Sequence, residues 1–216
     1  MVLEIIVWVD CCFIIMQLDI KEQSLILEGK KYSRKELMSL SANATGDNTS
    51  SFLLDLYRFL ADWFSDSPFM TVHTSGSTGT PKVLTVRKEQ MMQSARMTCE
   101  FLNLHTGDTA LLCMPLQYIA GKMMVVRALV AGLNLILRTP SGHPLADVTV
   151  PLRFVAMVPL QVFNTLQVLR EKERLCHTDI LIIGGGAIDA ALENEIRLLP
   201  GEIYSTYGMT ETLSHI

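Results

Sequence analysis

Thr74-Ser75-Gly76-Ser77-Thr78-Gly79-Thr80-Pro81-Lys82 is the stretch whose reading decides the fold of this chain. Thr74, Ser75, Ser77, Thr78 and Thr80 carry hydroxyls and Lys82 an ammonium. Gly76 and Gly79 allow backbone conformations closed to residues with a Cβ. Such a segment bends tightly, exposes its N–H groups and surrounds an anion with donors. Phe69-Met70-Thr71-Val72-His73 before it and Lys82-Val83-Leu84-Thr85-Val86 after it read as short strands. A donor-rich loop between two strands suits a triphosphate cradle. A polar hairpin without a ligand has a similar composition, but an ordinary linker has no need of a fixed cation beside its glycines. The P-loop of ATPases requires Gly directly before its Lys, and here that residue is Pro81, so the P-loop motif is absent.

Outward from that loop, short apolar strands alternate with helices. On the N-terminal side, Ser24–Leu27 reads as a strand that turns through Glu28–Lys31, and Tyr32 begins the return. Ser33 with Glu36 forms a capping box that opens a helix through Leu40. Residues 41–50 read as a loop. From Ser51, residues Phe52, Leu53, Leu56, Phe59, Leu60, Trp63 and Phe64 recur at helical spacing, as a core-facing stripe does. On the C-terminal side the expected order is helix 88–104, strand 110–114, helix 119–131 closed by Gly132, strand 133–137, strand 153–158, helix 160–169, strand 180–183, helix 190–199 and strand 203–205. This alternation predicts an α/β fold, a mostly parallel sheet covered by helices on both faces.

Two further turns carry chemistry. Ile180–Ile183 runs into Gly184-Gly185-Gly186-Ala187 with a helix starting near Asp189. A strand opening through glycines onto a helix is where open α/β sheets bind ligands, although a tight strand–helix turn needs the same residues. Tyr207-Gly208-Met209-Thr210-Glu211-Thr212 follows the last strand. Tyr207 offers a ring for stacking, Gly208 close backbone approach, Thr210 a hydroxyl, and Glu211 a hard oxygen suited to Mg²⁺. Taken alone, a solvated Glu at a strand end is the ordinary reading.

In identity, order and rough spacing, TSGSTGTPK, GGGA and YGMTET resemble the adenylate-forming superfamily of acyl-CoA synthetases, luciferases and peptide-synthetase adenylation domains. The resemblance covers about residues 66–216. It implies a two-step reaction: a carboxylate and ATP give an acyl-adenylate and pyrophosphate, then a thiol, typically CoA, takes the acyl group. It implies ATP and Mg²⁺, with CoA as co-substrate. Thr74, Ser75, Gly76, Ser77, Thr78, Gly79, Thr80 and Lys82 would hold the β- and γ-phosphates. Gly185, Gly186 and Ala187 would line the adenine and acyl pocket, and Tyr207, Gly208 and Met209 would complete the nucleotide site with Tyr207 stacked on adenine. Thr210 would contact the α-phosphate and Glu211 would ligate the metal, so Thr210, Glu211 and Lys82 are the expected catalytic residues. Family members often carry Gly after that Lys; here it is Val83.

Pro115-Leu116-Gln117-Tyr118-Ile119-Ala120-Gly121 resembles the family's PLxHxxG segment, which places Tyr118 at the gate of the acyl tunnel. YGMTET followed by Ser214 and His215 is similar to the o-succinylbenzoate–CoA ligases of menaquinone synthesis, with His215 where those often have Gln. Only 73 residues precede the hydroxyl-rich loop, fewer than in typical acyl-CoA synthetases, and in this the chain resembles the shortened ligases of the menaquinone branch. The substrate would be an aromatic keto acid with two carboxylates. Lys122 and Ser214 are then candidate contacts for the carboxylate that does not react, and Gly184 a neighbour of the acyl group. A solvated Lys on a helix is the ordinary alternative for Lys122. Rival readings are a ligase for another fatty or aryl acid and a non-catalytic nucleotide-binding module.

Composition bounds the rest. At 216 residues and 49% hydrophobic, the chain buries a substantial core. Its net charge of −4 lacks a basic block, which argues against nucleic acid. Cys11, Cys12, Cys99, Cys113 and Cys176 show no zinc spacing, and reduced thiols suit a cytoplasmic protein. Glu4 and Asp10 interrupt the apolar first sixteen residues, leaving Cys11–Met16 as the longest clean run, too short to span a bilayer, so two short strands, or one strand packing on the main body, and no membrane insertion are expected. The expected organisation is residues 1–65 as short elements packing on a core of 66–216. Family members continue beyond the third motif into a lid domain with a catalytic Lys. The expectation is therefore an incomplete core without that lid, able at most to bind nucleotide weakly and with little or no ligase turnover. The expected partners are a small-molecule carboxylate and at most a second copy of the chain, as a homodimer.

Overall fold

The computed structural model describes residues 18–44, 50–73, 83–206 and 213. Strands β1 (Ser24–Leu27) and β2 (Lys30–Ser33) form a hairpin. Helices α1 (Arg34–Asn43) and α2 (Ser51–Phe64) follow. The Ser33–Glu36 capping box is formed: Ser33 Oγ accepts from the Glu36 N–H, and the Ser33 N–H donates to Glu36 Oε2. On α2, residues Phe52, Leu56, Phe59, Leu60, Trp63 and Phe64 are all buried, as the helical spacing predicts. Phe59 stacks on Trp63, and the Trp63 indole N–H donates to buried Gln23.

Strands β3 (Phe69–His73) and β4 (Val83–Arg87) pair antiparallel as a two-stranded sheet of their own. Then come α3 (Lys88–Phe101), β5 (Thr109–Leu112), α4 (Ile119–Ala131) and β6 (Asn134–Leu137). The chain continues through β7 (Leu152–Met157), α5 (Pro159–Gln167), α6 (Leu169–Cys176), β8 (Thr178–Ile183), α7 (Ala190–Ile196) and β9 (Glu202–Ser205). The main sheet has seven strands in the order β2-β1-β6-β5-β7-β8-β9. Every neighbouring pair is parallel except β1–β2. The fold is the expected α/β type, and β1 and β2 extend the same sheet as the later strands. The one or two strands expected within residues 1–16 lie outside the described residues.

The inner strands read as unbroken apolar runs because helices cover both faces. Ala110, Leu111 and Leu112 on β5, Phe154, Val155 and Ala156 on β7, and Ile180–Ile183 on β8 are all buried. Helix α4 is buried along Gly121–Ala131, as a helix apolar all round should be. Gly132 closes it with φ 69°, a left-handed cap that glycine adopts without strain.

Helix α6 was not expected from the sequence, which placed one helix over residues 160–169. Its eight residues, LREKERLC, hold few apolar side chains. Glu171 and Leu175, one turn apart, turn inward. Glu171 is buried because His143, from the connection between β6 and β7, meets it at 2.9 Å. That partner lies 28 residues away, beyond the reach of local periodicity.

Candidate functional site

From β5 the chain crosses through α4 to β6 on one side; from β7 it crosses through α5 and α6 to β8 on the other. Right-handed crossovers in opposite directions put these helices on opposite faces. The strand order thus reverses where β5 and β7 lie side by side, and the crevice outside the carboxyl ends at such a point is where open α/β sheets take ligands. The segments leaving those ends are Cys113–Tyr118 after β5, Val158–Pro159 after β7, Gly184–Ala187 after β8 and Thr206 after β9.

The glycine turn touches both neighbours. The Gly184 N–H donates to the Met157 carbonyl at 3.1 Å, and the Thr206 N–H donates to the Ile183 carbonyl at 2.8 Å. A Cβ on Gly184 would stand 2.9 Å from Thr206 Oγ1. Gly185 has φ 78° and lies against Val158, while Gly186 lies against Pro159. Gly185, Gly186 and Ala187 are exposed along the rim. The glycines are thus needed twice: for a left-handed turn and for close approach between strand ends. Thr206, which Gly184 approaches, is the residue before Tyr207 in the sequence.

The hairpin β3–β4 reaches this rim through the segment after β5. His73 and Tyr118 pair as a parallel bridge, and Tyr118 is 38% exposed. Gly121 seats α4 against that segment: a Cβ there would lie 2.5 Å from the Pro115 carbonyl oxygen and 2.9 Å from that of Met114. Lys122 is 9% exposed, and its Nζ donates to the Thr71 carbonyl at 2.6 Å. Burial holds its pKa below the ordinary lysine value, with Asp62 pulling the other way. The sequence suggested Lys122 as a contact for a free substrate carboxylate; in the structure one donor of its ammonium is engaged on a strand carbonyl.

Of the expected site residues, the structure describes Tyr118, Lys122, Gly184, Gly185, Gly186 and Ala187. Thr74 through Lys82, Tyr207 through Glu211, and Ser214 lie outside the described residues. Their flanks are placed. His73 and Val83 face each other across β3 and β4. Thr206 ends the sheet strand beside Gly184. Leu213 is buried, and its carbonyl accepts from Ser94 Oγ on α3.

Two residues here escaped sequence reasoning. Gln161, on α5, donates from Nε2 to the Cys113 carbonyl at 3.2 Å and to the Ser141 carbonyl at 2.9 Å, clasping the end of β5 to α5 across the crevice. Arg127 is 3% exposed within α4; burial pulls its pKa down to about 10 against an opposing influence from Cys99. A single cation in the run Met123–Ala131 reads as solvent-facing until the helix is known to be enclosed. Among the described residues, no group of three or more His, Cys, Asp or Glu side chains is placed to hold a metal. No helix among them is long and apolar enough to cross a membrane.

The profile of the AMP-binding enzyme family matches residues 9–216. A 2-succinylbenzoate–CoA ligase of Haemophilus influenzae is 29% identical over 164 residues, covering 76% of this chain and 35% of that protein. One from Enterococcus faecalis is 31% identical over 152 residues, covering 67% of this chain and 30% of that protein. The chain thus spans about a third of the length of the curated relatives it matches. Among solved structures, an acyl-CoA synthetase (AMP-forming)/AMP-acid ligase II-like protein of Dyadobacter fermentans superposes with a TM-score of 0.73 at 35% identity, over 83% of this chain and 51% of that one. O-succinylbenzoate coenzyme A synthetase of Bacillus subtilis, in complex with ATP and magnesium ion, shares the fold with a TM-score of 0.64 at 16% identity, over 93% of this chain and 59% of that one.

Proposed function

This chain belongs to the AMP-binding enzyme family, and from that premise we propose that it forms the nucleotide- and acid-binding core of an ATP-dependent acid–thiol ligase acting on o-succinylbenzoate. The observation that carries the reading is the rim itself. The exposed glycine turn 184–187 abuts the ends of β7 and β9, beside the β5–β7 crevice that Tyr118 borders and to which it ties the β3–β4 hairpin. The curated relatives named 2-succinylbenzoate–CoA ligase support the choice of acid.

In the proposed reaction a carboxylate oxygen attacks the α-phosphorus of ATP. The bond from that phosphorus to the bridging oxygen breaks, and pyrophosphate leaves with the electron pair. A thiol then attacks the acyl carbon of the mixed anhydride and AMP leaves. The first step brings two anions together, so the site must offset negative charge as it builds. The hydroxyls and backbone N–H groups of 74–80, with Lys82, would do so at the β- and γ-phosphates. Thr210 would donate at the α-phosphate, and Glu211 would hold Mg²⁺, whose contribution is to neutralise phosphate charge. The exposed turn Gly185–Ala187 carries no side chain larger than the Ala187 methyl, which fits an adenine lying between it and Tyr207. Tyr118 and Gly184 would border the acyl group, with Ser214 near its second carboxylate.

Isothermal titration of the chain with magnesium–ATP, followed by a panel of sulfamoyl-adenosine analogues of acyl-adenylates, tests this. The o-succinylbenzoyl analogue is expected to bind at least about tenfold tighter than the benzoyl and fatty acyl analogues, about 1.4 kcal/mol. A preference for another acyl group would replace the substrate but keep the reaction class. Absence of binding by ATP and by every analogue would refute the nucleotide site.

A further inference from the structure

An isolated two-stranded hairpin is marginally stable in water, so where β3–β4 sits depends on what holds it. Met70, Val72 and Val86 bury its inner face. At its far end, buried Lys88, the first residue after β4, donates from Nζ to the Ser65 carbonyl at 2.9 Å. At the end leading into residues 74–82, two contacts come from the segment after β5 and the first turn of α4: the His73–Tyr118 bridge and the 2.6 Å bond from Lys122 Nζ to the Thr71 carbonyl. An ammonium in the interior is costly unless it is well hydrogen-bonded. A Met in the same place would fill similar space without that cost, so volume alone does not account for a lysine at 122.

We propose that Lys122 is a positioning residue for the nucleotide: by binding β3 to the start of α4, it fixes the direction in which the chain enters residues 74–82. This rests on the nucleotide reading above, and it replaces the substrate-carboxylate contact that the sequence suggested for the same side chain. Thr71 lies two residues before His73, where strand β3 ends. A charge-assisted bond at that point restrains the strand while adding nothing to the ligand's own contacts.

The test compares the unsubstituted chain with Lys122→Met and Lys122→Arg. Titration calorimetry reads the affinity for magnesium–ATP, and separately that for o-succinylbenzoate with a non-hydrolysable ATP analogue at saturation. Lys122→Met is expected to weaken nucleotide binding by about tenfold, the scale of one lost charge-assisted hydrogen bond, and to leave carboxylate affinity unchanged. Lys122→Arg, which keeps a charged donor, should recover most of the loss. Backbone amides of 69–73 and 83–87 should exchange hydrogen faster in Lys122→Met while those of β7 and β8 do not. A variant that loses carboxylate affinity and keeps nucleotide affinity would restore the substrate contact and overturn the proposal. Unchanged affinities, or faster exchange throughout the sheet, would also overturn it. If Lys122→Met does not fold, Lys122→Gln, a neutral donor, carries the same comparison. Failure of the unsubstituted chain to bind ATP would remove the nucleotide reading and this inference together.

Discussion

Replacing Gly121 by Ala sets two opposed effects against each other. In an ordinary helix the change stabilises by about 1 kcal/mol, because Ala has less backbone freedom to lose. Here the new Cβ would stand 2.5 Å from the Pro115 carbonyl oxygen and 2.9 Å from both the Pro115 carbonyl carbon and the Met114 carbonyl oxygen. These are backbone atoms, so no rotamer change relieves the contact. Either α4 or the 114–118 segment must move by about 1 Å, and forcing extra atoms into a packed interior costs about 1–3 kcal/mol, here at the upper end. The net expectation is a loss of about 2 kcal/mol. For a domain of this size that corresponds to a melting temperature lower by about 4–8 °C. Thermal unfolding followed by circular dichroism checks it. Gly201→Ala serves as a control away from the crevice, since its Cβ would meet the Thr178 carbonyl oxygen at 2.6 Å. Both variants should melt early, but only Gly121→Ala should also weaken ligand binding, because it displaces the segment carrying Tyr118. An unchanged or higher melting temperature for Gly121→Ala would show that helix propensity outweighs the close approach and refute the reasoning.

Burial pushes the Cys99 and Cys113 thiols up to about 12 from an ordinary value near 9. The folded chain keeps protons that the unfolded chain releases, so their contribution is fully present below pH 9 and is lost as pH rises towards 12. Urea midpoints measured across that window should fall, and Cys113→Ala should flatten the slope. For the same reason neither thiol should react with a disulfide reagent in the native state, whereas partly exposed Cys176 should; a colorimetric thiol count checks this. His143→Ala leaves the buried Glu171 carboxylate without that partner and should cost about 1–3 kcal/mol in urea unfolding. Gly184→Ala crowds a Thr206 side chain that is able to rotate, so a loss of only about 1 kcal/mol is expected. Its larger effect should appear as weaker binding of magnesium–ATP by calorimetry.

The secondary elements were legible in the sequence because their signals are local. The Ser33–Glu36 capping box, the stripe on α2 and the Gly132 stop each involve residues within a few turns of one another, and each is formed as read. Parallel pairing was legible too: strands such as Ile180–Ile183 have no polar face to give to water. What the sequence did not reveal depends on partners distant along the chain. Glu171 is buried by a histidine 28 residues away, and that pairing accompanies a helix whose composition reads as solvent-exposed. Lys122, in an amphipathic reading a solvated side chain or a substrate contact, is enclosed because α4 is covered on every side, and its bond goes to a carbonyl 51 residues back. Arg127 was hidden by the same enclosure.

By itself, the sequence marked the short segments expected to carry chemistry, since hydroxyls, glycines and a lysine in a fixed order suit an anionic ligand. Only the tertiary structure decided that the glycine turn meets the residues leaving β7 and β9, and that the β3–β4 hairpin meets the segment after β5. The order β5-β7-β8-β9 brings the ends of four strands to one rim, and strand order follows from how crossover helices pack on the two faces of the sheet, a property that no local window of residues contains.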